Sequence, residues 1–374
     1  MSAPTTPEQG LARAWGWVAH LREGGTTPWR DWLVGGSDAA TAARHLPGAQ
    51  QLELLRRLNE LAARERVRPG AALAERVLSA SMAGRGRPDR LLAGADRPTG
   101  FGLPPVDPGD LPRGELLRVA ATLLAEDVVA AGVEPVQQGL LRPWRVRHRL
   151  VGDLWLTAPA REHLLRKGRP PGGRDRIIVV VARDLPGMLA DTWTAHSFDA
   201  GVPPWEEWVA GAHRRGRLYP RADPLRTARW WAERVGPAQV HVVLDAAALA
   251  RVVGVRRLPT PPHVSADGVD LARRLVPVMG LLAVPERRAE LLRRGLAPRL
   301  AAYAGPRLAV PDEHRDWVAE QARRQRDGLL ADGYPVHGDP DVLLAEPRPG
   351  GRSPEMGAVF ELALRMLLDG RRER

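Results

Sequence analysis

Cysteine is absent from the 374 residues, which excludes disulfides, thiolate metal centres and a cysteine nucleophile. Lysine is almost absent too: Lys167 is the single one, and every other basic residue is arginine. With the abundance of Ala, Gly, Pro and Leu, this reads as the coding bias of a GC-rich genome. No run of eighteen apolar residues occurs, so no membrane-spanning helix is expected. The opening MSAPTTPEQG lacks the basic-then-apolar layout of a secretory signal, and the expectation is a cytoplasmic protein with no membrane partner. Phenylalanine and tyrosine number three each, too few for a base-stacking platform. G-x-G-x-x-G, G-x-S-x-G and H-E-x-x-H are all missing, which removes the usual dinucleotide, serine-hydrolase and zinc-hydrolase signatures.

The formal charge is +11, yet the arginines are spread along the chain and alternate with acids, as in Arg56, Arg57, Glu60, Arg64, Glu65 and Arg66. A nucleic-acid footprint gathers basic residues on one face or tail. Nucleic acid is therefore not an expected partner.

The hydrophobic spacing organises the chain. Helices are expected over Leu11–Arg22, Gln50–Arg64, Ala71–Met82 and Arg113–Gly132, each with apolar residues at helical intervals. Between them, residues 84–112 are rich in Gly, Pro, Arg and Asp and read as a linker or long loop. The pattern then changes to a short strand over Val146–Gly152, a helix Ala158–Lys167, a strand 177–182, helices 186–199, Trp205–His213 and Pro224–Val235, and a strand Gln239–Leu244. Strands alternating with helices imply βαβ units and a parallel sheet. Four more helices follow: Asp267–Met279, Pro285–Leu296, Pro311–Asp332 and Glu355–Leu368. The expectation is an α/β fold, a parallel sheet with flanking helices, preceded by a mainly helical N-terminal region. Its divisions are 1–83, the 84–112 loop and an α/β domain over 113–374.

One stretch carries the site argument. Ile177 to Ala182 is an uninterrupted apolar run, suited to a central strand covered on both faces. Arg183-Asp184 follows at its carboxyl end, where open α/β sheets bind ligands. An arginine there is a candidate oxyanion reader, because its planar fork matches phosphate or sulfate oxygens.

Four segments in order, IIVVVARDLPGMLADTW, GVPPWEEWVAG, DPLRTARWWAERVGPAQVHVVLD and VPDEHRDWVAEQARRQRDGLLADGYPVHGDPDVLL, resemble the sulfotransferase-like proteins of actinobacteria. The resemblance covers about residues 176–344, under half of the chain. It implies a P-loop-type fold that binds 3′-phosphoadenosine 5′-phosphosulfate (PAPS) and transfers its sulfuryl group to a hydroxyl of a glycan or small metabolite. Carried over residue by residue, it puts Arg183 at the donor's 3′-phosphate. Asp191 stands eight residues on, where the family often has serine. The family's Lys-x-Gly-Thr-Thr turn has two candidate positions. Gly24-Gly25-Thr26-Thr27 has the letters but follows a helix and reads as its stop; Leu150-Val151-Gly152-Asp153 has the position, with Gly152 as its one glycine. A relative that kept the scaffold as a binding or scaffold partner is the alternative reading.

Among the remaining residues, His196 on helix 186–199 is the candidate general base for an acceptor hydroxyl, with a half-exposed helix histidine as its alternative. His148 and His163 flank the Gly152-Asp153 turn, His163 reading as a surface position. No metal is expected: the histidines are dispersed, and His337-Gly338-Asp339-Pro340-Asp341 reads as a turn more readily than as a hard-cation loop. The pairs Trp29/Trp32 and Trp205/Trp208 each share a helical face and read as packing, while one of Trp230 and Trp231 must face outward.

Overall fold

The computed structural model describes residues 7–39, 46–80, 89–95, 103–142, 144–145, 148–171, 177–345 and 349–370. The Gly84–Arg87 run, Phe101 and the segment before Ile177 lie outside them, in whole or in part. In chain order the helices are α1 (Pro7–Arg22), α2 (Trp29–Gly35), α3 (Ala49–Arg64), α4 (Ala71–Ser79) and α5 (Arg113–Ala131). Then come β1 (His148–Gly152), α6 (Leu154–Arg166), β2 (Ile177–Val181), α7 (Leu185–Ser197), α8 (Trp205–Arg214), α9 (Pro224–Val235), β3 (Val240–Val243) and α10 (Ala246–Val252). The chain closes with α11 (Ala266–Leu282), α12 (Pro285–Glu290), α13 (Ala297–Ala301), α14 (Arg315–Ala331), β4 (Val336–His337) and α15 (Met356–Asp369).

The chain forms two compact units. The first takes the residues up to Ala131 together with Pro277–Pro285 and the segment from Glu355 onward. Its centre is α5, apolar almost all round: Leu116, Val119, Ala120, Leu123, Leu124 and Val128 are all buried. Such a helix must be enclosed, and α3, α4 and α15 enclose it. The boundary therefore falls after Ala131, not at 113, because α5 needs α15 to cover its far side. The expected 84–112 loop is no free linker where it is described. Leu92 is buried and bridges Val106, and the Trp29 indole donates to the Ala93 carbonyl at 3.0 Å. A charged cluster is buried in the same unit: Glu53, its side chain 2% exposed, accepts from Arg56 and Arg57 at 2.7 Å each.

The second unit holds the sheet. Its four strands are parallel and their order follows the chain, β1-β2-β3-β4. Strand β2 sits between β1 and β3 with Leu150 opposite Val179 and Val179 opposite His241. Leu150, Val179 and Val243 point to one face, where they pack with Ala160 and Leu164 of α6 and Leu249 of α10. Helix α9 lies against β1, β2 and β3. Both faces are covered, which is why β2 is apolar at every position. The tryptophan pairs pack: Trp29 and Trp205 are fully buried, Trp208 stacks on Tyr219 at 3.9 Å, and Trp230 is the exposed member of its pair. Among the described residues no helix is long and apolar enough to cross a membrane.

Candidate functional site

Parallel strands deliver helix N-termini to one edge of the sheet, and each N-terminus brings unsatisfied amides. Here every one of three successive strand-to-helix turns answers them with its own aspartate. After β1, Asp153 accepts from the Trp155 amide at 2.6 Å. After β2, Asp184 accepts from Gly187 at 2.7 Å. After β3, Asp245 accepts from Ala248 at 2.6 Å. These are N-caps, stabilised further by the helix dipole. In a phosphate-binding turn the same amides point at the ligand instead.

A cavity of about 500 Å³ opens at this edge. Its polar lining includes Arg183, Asp184, Asp191, Thr194 and Asp245, with Trp155 also lining it. Its apolar lining includes Leu249, Leu258, Pro259, Pro261, Pro262 and Val264. Two more basic groups, His263 and Arg307, reach it from loops far along the chain. They were not singled out from the sequence, because nothing local marks a loop residue that distant folding brings to a strand end.

Arg183 lies where the strand-end argument put it. Its guanidinium folds back over the first turn of α7: Nε meets Asp184 at 3.1 Å and Nη1 meets Asp191 at 3.3 Å. A Cβ on Gly187 would stand 2.2 Å from its Nη2, so the guanidinium needs glycine there. Asp184, Gly187 and Asp191 recur at helical spacing, and that spacing was the readable signal for this cradle. Arg183 keeps 38% of its side chain exposed. Its contact with Asp191 is an ion pair without an aligned hydrogen bond at Oδ2.

Asp191 is buried, and burial pushes its carboxyl up to about 7, against the pull of Arg183 and with Asp153 and Asp184 adding repulsion. Burial also raises Asp153, opposed by the hydrogen bond from the Trp155 amide. Burial lowers His263, and the Arg307 charge lowers it further, so that imidazole is neutral at pH 7.

Two expected site residues are placed elsewhere. His196 does not line the cavity; its Nδ1–H donates to the Thr192 carbonyl one turn back at 2.7 Å, the ordinary arrangement of a helix histidine. Gly152 does not line it either. Its φ is +117°, and a Cβ there would sit 2.6 Å from the Val181 carbonyl oxygen, so glycine serves the close approach of β1 to β2. Gly24-Gly25 follows α1 as the expected stop. His337 bonds His241 at 2.9 Å, Asp339 caps the short helix after it, and among the described residues no group of three or more ligands is arranged to hold a metal ion.

PAPS does not fit these residues. Each turn already carries an aspartate carboxylate that holds one of the amides a phosphate would need, and Asp191 sits beside the one arginine placed to read a 3′-phosphate. A multiply charged anion would meet three carboxylates at the cavity. No family model, curated protein or solved structure matches the chain.

Proposed function

We propose that the strand-end cavity binds a small amphipathic monoanion, a single carboxylate on a compact apolar body, and that the chain is a binding protein of sulfotransferase-like ancestry that does not transfer sulfuryl groups. The observation that carries this reading is the trio of aspartate caps, Asp153, Asp184 and Asp245, which sets a carboxylate at each turn where a nucleotide phosphate would need amides. Arg183 and Arg307 remain to face one carboxylate, and the proline-rich wall suits an apolar body. The cavity volume, about 500 Å³, lies in the range of small-molecule sites. The consecutive strand order also lacks the reversal at which doubly wound folds open their nucleotide crevice.

Calorimetry tests it with three compounds. Phenylbutyrate should bind with a Kd on the order of 1 mM, from about 0.3 kcal/mol per heavy atom. Its neutral amide should bind at least about tenfold more weakly, having lost a charge-assisted contact. Adenosine 3′,5′-bisphosphate should give no heat. Micromolar binding of the bisphosphate, lost in Arg183→Ala, would overturn the proposal and favour sulfuryl transfer. Equal affinity for the acid and the amide would remove the monoanion from it.

A further inference from the structure

The charges around Asp191 imply more than a place for the ligand. From the β2–α7 turn it is faced by Arg183 and Asp184, from the β1–α6 turn by Asp153, and from the loop after α13 by Arg307. The buried faces of α6, α8 and α14 carry no charged residue; Arg221, in the short helix Pro220–Ala222 packed on α7, acts on Asp153. Asp245 and the neutral His263 complete the titratable groups at the cavity. With Asp191 ionised, Arg183 has carboxylate partners on both sides, at 3.1 and 3.3 Å. A ligand carboxylate arriving then meets three acids against two guanidiniums in a largely apolar chamber. With Asp191 neutral, one side of Arg183 is open, and the fixed charges of Asp184 and Asp245 are balanced by Arg183 and Arg307.

We infer that Asp191 is the proton-accepting half of this site: ionised, it occupies Arg183; protonated from solvent, it releases the guanidinium to the ligand, so one monocarboxylate and one proton enter together. This rests on the monoanion reading of the cavity and adds a linkage to it. Burial already brings the Asp191 carboxyl to about 7, so the exchange falls near neutral pH. A neighbouring ligand anion moves its titration higher still.

Calorimetry with phenylbutyrate on the full chain, in phosphate and in Tris at pH 6, 7 and 8, reads both affinity and proton uptake. Affinity should fall about tenfold from pH 6 to pH 8, with about half a proton taken up at pH 7 and nearly one at pH 8. Asp191→Asn should bind equally well across that range, as tightly as wild type at pH 6, and take up no proton. Equal wild-type affinity at pH 6 and pH 8 without uptake overturns the linkage and leaves the binding site standing. No heat at any pH from wild type or variant overturns the site itself. If Asp191→Asn fails to fold, carboxyl ¹³C titration of the wild-type protein decides instead: one aspartate titrating near 7 should move upward on adding phenylbutyrate, and an unmoved midpoint overturns the inference.

Discussion

Replacing Asp191 by asparagine should stabilise the protein, by an amount that depends on pH. The carboxyl rises from 3.8 in the unfolded chain to about 7 in the fold because it is buried. The folded state therefore holds a proton that the unfolded state has already lost between these values, and stability declines as pH rises through that window. At pH 8 the ionised carboxylate costs roughly 4 kcal/mol, from about three units at 1.36 kcal/mol each. At pH 5 the cost is about 1.5 kcal/mol, because the unfolded state is already largely ionised while the folded carboxyl still holds its proton. Asparagine has nearly the same shape and no charge, so the variant should gain about 2–3 kcal/mol on wild type between pH 5 and pH 8. The pull of Arg183 is already contained in the value of about 7, so losing that ion pair subtracts nothing further. Urea unfolding at pH 5, 6.5 and 8, compared as the difference between the two proteins, isolates this group from other carboxylates. A difference that stays flat with pH, or a variant less stable than wild type at pH 8, would refute the reasoning.

Three further substitutions probe the packing around this site and beyond it. Gly187→Ala places a methyl 2.2 Å from the Arg183 guanidinium; a flexible end can move aside, so stability should change by under ~1 kcal/mol while phenylbutyrate affinity falls about tenfold, seen by calorimetry. Gly152→Ala meets the Val181 carbonyl at a φ of +117°, and backbone cannot yield, so the second unit should lose about 1–3 kcal/mol in urea unfolding. Glu53→Ala strands the buried Arg56 and the half-exposed Arg57; with Glu60 still within 2.5 Å of Arg56, the loss should be about 3 kcal/mol, at the lower end for a broken buried pair, measured as a lowered unfolding midpoint.

Local chemistry made much of this legible. The run Ile177–Val181 announced a central strand, and the position of Arg183 after it pointed to the cavity that opens there. Helices with clear periodicity, such as Pro224–Val235, fall where spacing put them. What escaped was short or distant. Strand β4 is two residues long and exists only because β3 is beside it. Helix α10 spans seven residues, too few for a periodicity to register, although Asp245 ahead of it is a readable cap. Arg307 and His263 join the site through folding alone. The pairing of α5 with α15 joins residues 113–131 to 356–369, a distance no local reading spans, and it moves the domain boundary. His196, the histidine expected to act as base, does not line the cavity, a placement that helix spacing alone does not reveal.

The three capping aspartates have one more consequence. A turn that carries its own aspartate cap holds its helix start without a guest. Occupancy then adds only the mass-action contribution of a weak ligand, roughly 0.4 kcal/mol when ligand equals its Kd. Thermal-shift screening at ordinary concentrations would pass over such a site. Direct titration, or chemical shifts read at the Trp155 indole beside the cavity, is the way to find what fills it.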